Sequence, residues 1–375
     1  MVRNGLLENS LDADPELARL VKQYREIEQK QLIQPRIIPG VEDVDDGIDQ
    51  PVLVRGDPTE FGEPVPRRFF EVFGGTRQPF RRGSGRRELA DQIASSNNPL
   101  TARVMVNRIW HHLFGTGLVR SVDDFGRLGE LPSHPRLLDH LAATFIKDAW
   151  SMKRLIRRVV LSRTFRMSAR RQHEFDTVDP LNRLLRHYPA RRLDAESIRD
   201  AVLATSGRIR LKLGGASIYP FRDQPNADRR LFVGPLDGHG RRSLYIKTNL
   251  MEPTRFLSIF NTPGGKVVEG RRDLSNVPAQ ALAMLNDPFI IGQADAWGQQ
   301  LVAIAHRDPF ERINVMFQQA LSRPPTADEH DQFTQLLNRL ASLHKIPAAD
   351  RMTSQPIWKD MAHVIFTLKE FISLP

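Results

Sequence analysis

The stretch Arg86–Phe145, RRELADQIASSNNPLTARVMVNRIWHHLFGTGLVRSVDDFGRLGELPSHPRLLDHLAATF, decides the fold. Three helical patterns lie in it, joined by two turns rich in Asn, Pro, Gly and Asp. In the middle pattern Ala102, Met105, Ile109 and Leu113 recur at helical spacing, widened by Val106 and Trp110. Apolar residues on one side of a 3.6-residue period mark a helix packed on a core. Thr101 stands as an N-cap after Asn98 and Pro99, and Gly115 supplies the stop after Phe114. The opposite face carries Arg103, Asn107, Arg108, His111 and His112. Asn and His form helices less well than the Lys and Glu of an ordinary solvated face, so Asn107 and His111, one turn apart, need a reason. Either they hydrogen-bond a neighbouring loop, or they line a ligand site.

Outward from this stretch, residues 36–85 are rich in Pro and Gly and read as an extended linker, with strand character at Gln50–Arg55. Residues 1–35 read as a helix carrying Leu17, Leu20, Val21, Tyr24 and Ile27, the tail of a longer helical region. On the other side, Ser151 caps a helix in which Met152, Leu155, Ile156, Val159 and Val160 face inward. Lys153, Arg154, Arg157 and Arg158 form its basic face, and the ordinary reading of such a face is a solvated surface. Asp194 caps the next helix and Gly207 ends it. Between about 209 and 250 the turn residues rise, and SIYPF and RRSLYIKT have strand character. From Pro253 the chain is helical again: a short element at Phe256, Leu257 and Phe260, a helix beginning near Ser275, capped starts at Asp308 and Thr326, and a last helix over 356–372. The expectation is a mainly α, multi-helix globular domain over 86–375 with a small β insertion at about 209–250.

Composition narrows the function classes. With 40% hydrophobic and 26% charged residues in 375, the chain can bury a full core. No apolar run reaches the ~20 residues of a membrane span, and the start has no apolar signal core. Cysteine is absent, which excludes disulfides, thiolate metal sites, a Cys nucleophile and covalent c-type haem attachment. The net charge of +10 rests on 44 Arg against 10 Lys. Arg suits bidentate pairing with carboxylate, sulfate or phosphate. Nucleic acid is not the expected partner: only 7% of residues are aromatic, the Arg are spread along the chain, and no docking motif is visible.

No P-loop, GxSxG, HExxH or GxGxxG occurs, so no motif calls for a cofactor or a resident metal. Two constellations remain. In the first, the glycines of FGTG let the chain reverse after the middle helix and bring Asp123 and Asp124 toward its polar face. His111, Asp123 and Asp124 are then candidate acid–base groups, with Asn107, Arg108 and Arg127 as ligand-binding neighbours. A metal held by His111, Asp123, Asp124 and His134 is a rival arrangement, and simple caps and ion pairs are another. In the second, Arg271 and Arg272 precede a helix start, followed by Asp273, Ser275, Gln280 and Asn286, and could bind an anion there. The rival is that Asp273 pairs with one Arg and Ser275 merely caps.

The words NRIWHHLFGTGLVRSVDDFG, PSHPRLLDHLAATF, SMKRLIRRVVLSRTFRMS, RRLDAESIRDAVLATSGRI, RRSLYIKT, RRDLSNVPAQALAMLNDPFI and LSRPPTADE occur in that order. Together they resemble the uncharacterised C-terminal domain of large planctomycete surface or secreted proteins, often found with a cytochrome-c-like domain. VLVRGDPTEFGEPVPRRF resembles the linker before that domain, so the likeness covers about residues 50–372. It implies an extracytoplasmic protein that binds or processes acidic polysaccharide. It also leaves open a non-enzymatic scaffold with Arg-rich faces, or a redox partner of a cytochrome-c-like or companion domain. The segment NTPGGKVVEG stands where relatives carry an Asp-rich, Cys-containing segment, and Thr367 stands where Asn is common.

Overall fold

The computed structural model describes residues 40–43, 47–73, 80, 82–170, 174, 177–219, 234–248, 254–272, 275–304 and 308–374, with seven scattered residues between 16 and 27. Those seven are helical and exposed, while Leu17, Val21 and Tyr24 of the expected N-terminal helix lie outside the described residues. The chain divides into two compact units, residues 36–189 and residues 1–35 with 190–375. As the sequence pattern requires, the fold is mainly α with a small β component.

In the unit 36–189, β1 (Gln50–Leu53) pairs antiparallel with β2 (Phe61–Val65). Four helices follow: α1 (Arg86–Ile93), α2 (Thr101–Phe114), α3 (Pro135–Lys147) and α4 (Met152–Val160). Ala102, Val106, Trp110 and Phe114 of α2 pack against Leu138, Leu141, Ala142 and Phe145 of α3 and Leu155 and Val159 of α4. Gly115 ends α2 at φ 77, as expected. Thr101 is not its cap: Asn98 Oδ1 accepts from the N–H of Leu100 at 2.9 Å and of Thr101 at 3.4 Å, because the Asn98-Pro99 turn already points the amide at the helix start. On α4 only Leu155 and Val159 are buried, whereas Met152 and Ile156 are 52% and 39% exposed. A nine-residue helix offers one narrow stripe to its neighbours, and these two residues fall on its flank.

The second unit contains α5 (Ala195–Thr205), α6 (Arg255–Ile259), α7 (Pro278–Asn286), α8 (Pro288–Ala303), α9 (Pro309–Leu321), α10 (Ala327–Leu343) and α11 (Gln355–Thr367). A two-residue strand β3 (Arg191–Arg192) pairs with β4 (Ser373–Leu374). Trp297, Ile313, Phe317, Trp358 and Phe366 are fully buried at its centre. Gly298 lets α8 and α11 approach: an added Cβ would lie 2.6 Å from the backbone N of Lys359. The caps read from sequence are present, with Asp194 accepting from Ser197 N and Asp308 from Glu311 N, both at 2.9 Å.

The strand character expected at Gln50–Arg55 is realised in β1, whereas the expected insertion at about 209–250 holds little pairing. Among the described residues of 209–250, pairing amounts to two isolated parallel bridges, Arg210 with Arg241 and Ile218 with Ile246. Pro220 and Phe221 of SIYPF lie outside the described residues. RRSLYIKT holds a 3-10 turn over Ser243–Tyr245 instead of a strand. The cause is a clamp from α5. Buried Arg199 donates to Asp237 O at 2.7 Å and Arg241 O at 3.0 Å, and Asp200 accepts from both Ser243 N (2.7 Å) and Ser243 Oγ (2.8 Å). Tertiary hydrogen bonds override a weak strand propensity here.

Candidate functional site

The polar face of α2 meets the turn that follows it, as the FGTG reversal implies. Asn107 is wholly buried, donating from Nδ2 to Val119 O and accepting at Oδ1 from Val119 N, each at 2.9 Å. It thus closes the returning loop in the way a strand neighbour would. Gly117 is required by that closure, since a Cβ there would lie 2.8 and 2.9 Å from the two amide atoms of Asn107. Arg108 Nη2 lies 3.5 Å from Asp123 Oδ1, an ion pair with both side chains well exposed. Asp124 turns back on its own loop, where Oδ1 accepts from Gly126 N at 2.8 Å and its carbonyl accepts from Ser121 Oγ at 2.7 Å. His111 is half-buried and edges onto His112, with ring centroids 5.6 Å apart. Arg127 is exposed. His111, Asp123, Asp124 and His134 do not form a metal site: among the described residues no three or more His, Asp or Glu are so grouped. What this region assembles is a stapled loop with a surface ion pair, and exposed pairs contribute about 0–1 kcal/mol.

At the second constellation the structure exchanges one arginine for another. Arg271 is exposed. Arg272 binds Glu196 in bidentate fashion through both terminal nitrogens, Nη2 to Oε1 at 3.1 Å, with Asp194 3.8 Å away. Burial acts to lower its pKa, but the bond to Glu196 outweighs that and the group is raised overall. Arg272 is therefore neutralised from within, by the first turn of α5. Asp273 lies outside the described residues. The helix starts at Pro278, three residues later than expected, and Val277 gives it no side-chain cap.

The guanidinium that does reach Ser275 and Gln280 comes from Arg192, on β3. Its Nη1 donates to Gln280 Oε1 at 2.6 Å and to the Ser275 carbonyl. Gln280, 4% exposed, is fixed in turn by donating to Ile259 O at 3.0 Å. Ser275 Oγ exchanges hydrogen bonds with the Asn261 amide at 2.8 and 3.2 Å. Burial lowers the pKa of Arg192, and no carboxylate among the described residues stands within 4 Å of it. Sequence reasoning missed Arg192 because it sits 88 residues from Gln280. The one available signal was a second Arg pair, Arg191–Arg192, ahead of an Asp-capped helix.

The basic face of α4 is realised on the surface. Lys153, Arg154, Arg157 and Arg158 are all exposed, as are Arg163, Arg166 and Arg170 beyond it. Asp148 is the acid that answers them, 3.3 Å from Arg158 and 3.9 Å from Arg154. Among the described residues Lys153, Arg157, Arg163, Arg166 and Arg170 make no ion pair.

Of the comparisons with known proteins, a family model described as PSD1, protein of unknown function (DUF1553), matches residues 85–337, more than half of the chain. No curated protein and no solved structure matches.

Proposed function

The chain belongs to this PSD1 family of unknown function, and with that as premise we propose that it binds acidic polysaccharide through the basic surface of α4 and the segment after it. The observation that supports this is one-sided charge. Seven exposed cations between 153 and 170 face one nearby acid, Asp148, and five of them have no carboxylate partner among the described residues. A surface that served only solubility would intersperse both signs. Six of the seven are Arg, whose planar fork matches carboxylate and sulfate esters better than an ammonium does. The reading needs no catalytic group, and it places the chain outside the cytoplasm, where such polymers lie.

The test is binding to a sulfated dextran and to neutral dextran by calorimetry, at low and high salt. Wild type is expected to bind the charged polymer alone and to lose affinity as salt shortens the screening length. The double substitution Lys153→Glu, Arg157→Glu should weaken binding about tenfold, roughly 1.4 kcal/mol. Both residues are exposed, so the melting temperature should hardly move. Equal binding by the variant would sink the proposal.

A further inference from the structure

We propose that Arg192, held by Gln280 and Ser275, forms a site for the carboxylate of a small organic acid. The site lies in the unit 190–375 and does not depend on the α4 surface.

The argument begins with the unused donors of Arg192. Its Nε and Nη2 are both buried and have no protein partner. Several other arginines of the described chain leave one such nitrogen buried and unpaired, but Arg192 alone leaves two. The pair matters because Nε and Nη2 form one edge of the guanidinium, and that edge donates two parallel hydrogen bonds to a planar carboxylate. The opposite corner, Nη1, is already held by Gln280 Oε1 and the Ser275 carbonyl. The fork is therefore oriented before any ligand arrives, which removes part of the ordering cost of binding.

The surroundings favour the same ligand. A buried guanidinium with unsatisfied donors is costly, and an anion relieves that cost where a neutral group relieves less. The fork is shielded from solvent, which excludes a long polymer and selects a small planar group. Arg272 does not compete, because Glu196 holds it.

Arg192 reports directly on its own partner. The full chain, labelled with 15N, is titrated with sodium acetate, with sodium sulfate, and with sodium chloride at matched ionic strength. Acetate is expected to shift the Arg192 Nε–H resonance saturably, in the millimolar range, while chloride leaves it in place. Acetate should also raise the melting temperature of wild type and not that of Arg192→Lys, which keeps the charge and loses the fork; affinity should drop at least tenfold. Acetate acting no differently from chloride would overturn the proposal, as would saturation by sulfate alone or undiminished binding by Arg192→Lys. If Lys at 192 prevents folding, the wild-type titration decides by itself.

Discussion

Asn107 shows how much a single side chain can fix. It is 0% exposed and satisfies both the N–H and the C=O of Val119, so the loop after α2 returns in one register. Removing it leaves two buried backbone groups unpaired, and each such loss costs about 1–3 kcal/mol. Asn107→Ala should therefore destabilise the unit 36–189 by roughly 3 kcal/mol, read as a lower urea midpoint for that unit's transition with an unchanged slope. A loss under about 0.5 kcal/mol would mean that the clamp is dispensable. The sequence marks Asn107 as unusual, since Asn forms helices poorly and stands on an otherwise regular one. It could not announce the partner, because the oxygen that meets Asn107 belongs to a backbone whose path only folding defines. The same limit hid Arg192, whose chemistry depends on Gln280 and Ser275 far along the chain. Legibility at this scale ends where the contact is long-range.

Helix starts are local: the caps expected at Ser151, Asp194, Asp308 and Thr326 are present, whereas Thr101 and Ser275 cap nothing. The start of α10 is a complete capping box: Glu329 N donates to Thr326 Oγ1 at 3.3 Å, and Thr326 N donates to Glu329 Oε2 at 2.7 Å. Arg323 then binds both oxygens of Glu329, at 2.8 and 2.7 Å, and reaches Glu370 as well. The bonds from Arg323 are the main cause that pulls the Glu329 carboxyl from its ordinary 4.5 to about 2. Its folded pKa lies below the unfolded one, so the stabilisation is complete above about pH 5 and is lost as pH falls toward 2. Glu329→Gln should thus be less stable than wild type at pH 7 and converge with it near pH 2, followed by urea unfolding across that range. A constant gap at all pH values would show that the carboxylate charge does not matter. Where an element is decided by its neighbours, sequence served less well. Periodicity alone puts the flank of α4 in the core and makes RRSLYIKT a strand, because neither the narrow contact stripe nor the clamp from Arg199 and Asp200 is local.

At the scale of the whole molecule the question is whether folding is one event. The sequence groups 86–375 as a single domain, since helical patterns continue throughout. The structure gives two compact units with separate cores, one built on Trp110, Phe114 and Phe145, the other on Trp297, Trp358 and Phe366. A unit with its own core can unfold by its own transition. Two substitutions address the cores separately. Asn107→Ala acts in the first unit. Gly298→Ala acts in the second, where the new Cβ would meet Lys359 backbone that cannot step aside, at 2.6 Å from N and 2.8 Å from Cα. Overpacking of this kind costs about 1–3 kcal/mol, and toward the upper end of that range it clearly outweighs the ~1 kcal/mol that Ala gains over Gly in a helix. Backbone on backbone puts Gly298 at that upper end. Scanning calorimetry should then show two transitions, with Asn107→Ala lowering one and Gly298→Ala lowering the other. A single transition that both variants lower together would establish 86–375 as one cooperative domain.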